Sequence, residues 1–151
     1  MSKTIIKALL LALAAVAAIM AFIRFNEATL PEGAVPVVWD SEVCGHCKMH
    51  VGDPRFAAQL QTSEGDVLNF DDPVCLFDYL GSHELSVHAI YFRNHLEDGW
   101  LPESEAAFLP AEESPMGYGI SAVPKGTPDA RDMSWAKETV ENRPHHQHGG
   151  T

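Results

Sequence analysis

Cysteine is scarce, with three residues in a chain of 151. One thiol is always left over, which argues against the disulfide framework that staples small secreted toxins. Basic residues are also few, 10 against 21 acidic ones. Lys3, Lys7 and Arg24 all precede the first acid, Glu27, so the chain beyond Arg24 carries a formal charge of −14 with its histidines neutral. A surface of that sign repels phosphate, and nucleic acid is not an expected partner. The sequence has no HExxH, no serine elbow and no glycine loop of the kind that cradles phosphate, so an enzyme is not expected. Internal repeats are absent as well. The length suits one domain, and 46% apolar residues suffice for a sizeable core.

Residues 8–23 form an uninterrupted apolar run of 16, preceded by Lys3 and Lys7. As a helix this run spans about 24 Å, and Ile5 and Ile6 lengthen it if Lys7 snorkels. No small-x-small cleavage site follows Ile23, so residues 1–24 read as an uncleaved signal anchor in the cytoplasmic membrane. A cleaved signal peptide is the alternative. The basic start places the amino terminus in the cytoplasm and the soluble part outside it, facing the periplasm or exterior. Residues 25–36, with two prolines and a glycine, read as a linker.

Residues 37–142 are expected to form an α+β domain. Residues 35–39 suit a short first strand. Phe56, Ala58 and Leu60 share one face of a strand, and Leu68 and Phe70 share one face of the next. Ser63-Glu64-Gly65-Asp66 turns between them, which makes a hairpin. Asp71-Asp72-Pro73 then opens a helix whose core stripe is Pro73, Leu76, Phe77 and Leu80, with Gly81 as its stop. Asp72, Cys75 and Tyr79 line up on its flank. Residues 87–93 read as a buried strand, residues 114–123 as a glycine-punctuated loop entering a strand, and residues 129–142 as a polar helix. Residues 143–151, with His145, His146 and His148, read as a disordered tail that gathers metal rather than defining a site.

The densest chemistry lies in Cys44-Gly45-His46-Cys47-Lys48-Met49-His50. Two thiols, a thioether and two imidazoles fall within seven residues. Thiolate and thioether together select Cu(I), whereas thiolate with imidazole also suits zinc. Gly45 permits a tight turn, and Lys48 favours thiolates beside it. Three other readings remain open. The CxxC suits a structural disulfide or a redox-active pair, although the following MHVGDP is a poor helix opening for the latter. It also suits one half of a structural Zn²⁺ site resembling a treble clef, completed by Asp72 and Cys75 at the start of the next helix. Met116, framed by proline and glycine, is either a core plug or a ligand.

These stretches resemble the NosL family, accessory proteins of nitrous oxide reductase maturation. The resemblance rests on CGHCKM at 44–49, on DPRFAAQLQTSEGDVLNFDDPVCLFDYL at 53–80, and on SPMGYGISAV at 114–123. It implies a ββα unit similar to a treble clef and to part of organomercurial lyase, followed by additional strands. It also implies a Cu(I) chaperone outside the cytoplasm, taking copper from a donor protein and delivering it to a client cuproprotein, nitrous oxide reductase. Carried over, it makes Cys44, Cys47 and Met49 one ligand group and Met116 a partner across the fold. Asp72 and Cys75 occupy the family's FDDxxC positions. Many members carry a lipid anchor, where this chain has its apolar helix.

Overall fold

The computed structural model describes residues 3–26 and 30–142. The tail histidines and positions 27–29 of the expected linker lie outside the described residues. The chain is a mixed helix-and-sheet protein with an apolar N-terminal helix, α1 (Lys3–Asn26). Its window Ile5–Phe22 has mean hydropathy 2.6, and none of it is buried against the rest of the chain. Twenty-four residues rise about 36 Å, enough to cross a hydrocarbon core of about 30 Å. Such a helix serves as a membrane anchor or as a signal sequence.

The soluble part contains β1 (Ala58–Thr62), β2 (Val67–Phe70), α2 (Pro73–Ser82), β3 (Val87–Arg93), β4 (Trp100–Pro102), β5 (Ala106–Pro110), β6 (Ile120–Pro124) and α3 (Met133–Glu141). β2, β1, β3 and β4 form one antiparallel sheet in that order, and β5 and β6 pair separately. The register sets Ala58 opposite Phe70 and Leu60 opposite Leu68, so the expected apolar face of the hairpin is built as the alternation predicts. α2 packs its buried residues Pro73 to Phe77 into the core. There Phe77, Phe92 and Phe108 meet pairwise with ring centroids 5.1–5.9 Å apart. Glu103–Glu105 makes a 3-10 turn between β4 and β5.

Three local expectations are corrected. Residues 35–39 form no strand. Trp39 already belongs to a turn, and Val35 pairs with a side chain rather than with a neighbouring strand. The Val35 N–H donates to Gln59 Oε1 at 2.7 Å, and Gln59 Nε2 donates back to the Val35 carbonyl at 2.9 Å. Gln61 Nε2 donates to the Gly33 carbonyl at 2.8 Å, so the docked chain begins at Gly33, within the expected linker. Both glutamines are fully buried, which makes β1 covered on both faces. Lastly, Gly81 does not stop α2. The Ser82 hydroxyl donates to the Asp78 carbonyl at 2.7 Å, and the His83 ring stacks on Tyr79 at 3.9 Å, which carries the helix to Ser82.

Gln59 also donates to Asn69 Oδ1 at 2.8 Å, so one amide ties the extended segment to both hairpin strands. Replacing Gln59 with alanine leaves these groups unpaired. The expected loss is about 1–3 kcal/mol in urea unfolding, the usual penalty for buried polar groups that lose a partner. Amide exchange at Val35 should accelerate in the same variant. Unchanged protection at Val35 would show that the segment is held by something other than the glutamine.

Candidate metal centre

The loop bearing the CxxC is a closed knuckle. The Cys44 N–H donates to the Met49 carbonyl at 2.7 Å, and the Lys48 N–H to the Cys44 carbonyl at 3.3 Å. Lys48 takes a left-handed conformation (φ 66°), and its Nζ donates to the Gly45 carbonyl at 2.6 Å. Val43 and His50 bridge across the base of the loop. The Gly45 N–H donates to the Asn69 carbonyl at 2.8 Å, which docks the knuckle on β2. A Cβ at position 45 would meet the Phe70 ring at 3.0 Å, so the knuckle lies this close only because residue 45 has no side chain.

α2 supplies the third thiol. Asp72 is its N-cap: Oδ1 accepts from the Val74 N–H at 2.9 Å, and Pro73 occupies the first turn, as the sequence suggests. This start sets Cys75 in the first turn, facing the knuckle. The sulfurs of Cys44, Cys47 and Cys75 all lie within 4.8 Å of one another, and all three are free thiols. Among the described residues, no His, Asp or Glu joins this group. Burial is graded: Cys44 and Cys75 are fully buried, and Cys47 is half-buried.

The electrostatics follow from this arrangement. The Cys75 thiol hydrogen-bonds Cys44, and the backbone N–H groups of Asp71, His46 and Cys47 point at the same sulfur. Against the cost of burial, these donors lower the Cys44 pKa to about 4. Cys75 is pushed up, first by the hydrogen bond it donates to Cys44 and then by burial beside other negative groups. Cys47 is raised, chiefly by burial, with the Met49 N–H opposing. These directions favour the thiolate at Cys44 and the thiol at Cys47 and Cys75, so a cation held by all three would release protons.

The remaining expected residues fall around this trio. Met49 lies on the knuckle and is 46% exposed. Met116 is half-buried and packs against the core. Its N–H donates to Asp72 Oδ2 at 3.3 Å, which lays the proline–glycine bend on the helix start that carries Cys75. Asp72 is itself buried and stands outside the trio. Both of its oxygens accept backbone donors, and burial raises its pKa against those donors. Its place in the site is to hold α2 and the Met116 loop together.

Two features were not foreseen from sequence. Asp71 looks in the sequence like part of the helix opening alone. It is buried, its Oδ1 accepts from the Gly52 N–H at 2.9 Å, and its own N–H faces Cys44. Beside it opens a cleft of about 350 Å³ lined by His50, Asp53, Arg55, Phe56, Asp71 and Glu113, among others. Asp53 chelates Arg55 there at 2.6 and 3.0 Å, and the guanidinium holds its carboxyl below the usual carboxylate range. An adjacent DPRF stretch was the only signal in the sequence, and it does not distinguish a cleft from a turn. Comparison of the chain with protein-family models, with curated proteins and with solved structures yields no match.

Proposed function

We propose that this protein is a membrane-tethered, extracytoplasmic Cu(I) carrier. The observation that supports this most is the convergence of three cysteine sulfurs within 4.8 Å, two buried and one half-open. Soft thiolates select Cu(I) or zinc, but structural zinc is almost always held by four protein ligands. A trio with no nearby His, Asp or Glu among the described residues suits an ion content with three soft donors. This reading assigns the thioethers of Met49, exposed on the knuckle, and Met116, whose N–H bonds Asp72, to assist entry or complete the shell.

A carrier has to release its cargo. Cys47 and Met49 form the open side of the site, where a partner's donors can replace them one at a time. The knuckle, hairpin and α2 serve in this reading as a treble-clef-like ββα unit, with the CxxC ahead of the hairpin and Cys75 in the first turn after it. The resemblance to the NosL family names a copper-donating protein as source and nitrous oxide reductase as client. The acidic surface suits docking to a basic partner by long-range attraction. α1 then serves as the anchor, with the domain on the periplasmic or outer side.

A thiol–disulfide enzyme is less well supported. Such enzymes expose a low-pKa nucleophile. Here the low-pKa thiol, Cys44, is buried, and the accessible one, Cys47, is raised.

The test is an anaerobic titration of the reduced full chain in detergent with Cu(I) and Zn(II) in competition, followed by X-ray absorption. One Cu(I) per monomer in a sulfur shell is expected, with weaker binding in Met49→Leu and Met116→Leu. Wild-type affinity in both variants would remove the methionines from the ligand set. Preference for Zn(II), with unfolding on chelation, would make the site structural instead.

A further inference from the structure

We infer that the knuckle is a redox gate on its own metal site: a disulfide between Cys44 and Cys47 forms by exchange with a small external disulfide and abolishes Cu(I) binding. This rests on the Cu(I) reading of the trio. Three thiols whose sulfurs lie within 4.8 Å of one another are a metal site when reduced and a disulfide site when oxidised, and the two uses compete for the same atoms.

Burial fixes the order of events. Cys47 is the accessible sulfur of the three, so an external disulfide meets it first. The Cys47 thiol gives up its proton to solvent, and its sulfur attacks one sulfur of that molecule, RSSR. A mixed disulfide, Cys47–S–S–R, forms, and RS⁻ leaves and takes up a proton. The Cys44 sulfur, fully buried within 4.8 Å of it on the same loop, then attacks the Cys47 sulfur. The Cys44–Cys47 bond forms and the second RS⁻ leaves. Two protein thiols give up two electrons and two protons, and the external disulfide is reduced to two RSH.

Cys44 resolves the mixed disulfide, rather than Cys75, because of where each is held. Cys44 and Cys47 share one short loop, with Gly45 between them, and can close without moving an element. Cys75 is fixed in the first turn of α2 by the Asp72 cap and buried under the knuckle. It remains as the single reduced thiol, too few donors to hold the ion. In the other direction, Cu(I) already bound occupies the sulfurs that would have to attack, so loaded protein resists oxidation.

The reduced full chain in detergent is treated anaerobically with oxidised glutathione, then denatured and alkylated. Free thiols are counted and peptides mapped by mass. The expected result is loss of two thiols, a link within the Cys44–Cys47 peptide and alkylation at Cys75. Cu(I) affinity falls at least 100-fold and returns on adding reductant. Preloading with Cu(I) slows thiol loss at least tenfold. Cys44→Ser is expected to stop at one glutathione on Cys47. A link that includes Cys75, a stable glutathione adduct on the unmodified chain, or full Cu(I) affinity after oxidation each overturns the gate. If the disulfide forms but the reduced chain never binds Cu(I), the carrier reading fails and the gate with it, while the knuckle's thiol chemistry stands. The thiol count and the metal titration therefore separate the two.

Discussion

Cys75→Ser is expected to lower Cu(I) affinity of the reduced chain at least about 100-fold while leaving the metal-free domain folded. Loss of a residue that merely orients a metal ligand typically costs about 10- to 100-fold, so loss of a ligand belongs at or beyond the upper end. The replacement hydroxyl keeps a donor toward Cys44, and Asp72 continues to cap α2, so the fold has little reason to yield. Thermal unfolding gives a second readout. Metal at about 1,000 times its Kd stabilises the native state by about 4 kcal/mol, and at about 10 times by about 1.4 kcal/mol. For a domain of this size the first figure corresponds to a Tm rise on the order of 20 °C and the second to about a third of that. An undiminished rise in the variant would remove Cys75 from the site. A variant that unfolds without metal would instead favour the structural-zinc reading.

Phe92→Ala is expected to cost about 3–5 kcal/mol, the range for truncating a buried aromatic. Phe92 is fully buried on β3, with its ring 5.1 Å from Phe108 and 5.9 Å from Phe77. It joins the four-stranded sheet, the β5–β6 pair and α2, so the cavity opens where three elements meet. Domains are stable by only about 5–15 kcal/mol, and the variant should lose a large part of that. In urea the midpoint should fall by about 2 M with an unchanged slope. The Cu(I) stoichiometry of the protein that remains folded should stay at one, because the knuckle docks on Asn69 and Phe70 rather than on Phe92. A shift below about 1 kcal/mol would mean that the three rings repack around the gap.

What was legible in the sequence was local. The alternation of Phe56, Ala58 and Leu60 against Leu68 and Phe70 gave the hairpin and its face, because a period of two leaves little choice of register. Asp72-Pro73 announced a helix start, because a cap and a φ-restricted first residue act within one turn. Cys75 was a candidate ligand from its spacing beside Asp72, but spacing did not say which of the two faces the knuckle. In three dimensions the aspartate is spent on backbone donors and the cysteine points inward.

What was not legible depends on chain far away. Gln59 and Gln61 look like the wet face of a strand. They are buried because residues 33–38 come back to cover them and accept their amides. The same long-range pairing explains why residues 35–39 look like a strand and are not one. The Val35 backbone is satisfied by a side chain, which no alternation pattern encodes. Asp71 shows the same limit, since its role arises from where residue 52 returns.

The glutamine clasp also sets the length of a leash. α1 ends at Asn26, and the chain is gripped again at Gly33. Six residues lie between, a reach of at most about 25 Å when fully extended. If α1 is the proposed anchor, the domain patrols a thin layer over the lipid surface instead of the whole compartment. Encounters with other membrane-bound molecules become a search in two dimensions, at an effective concentration fixed by tether length rather than by abundance.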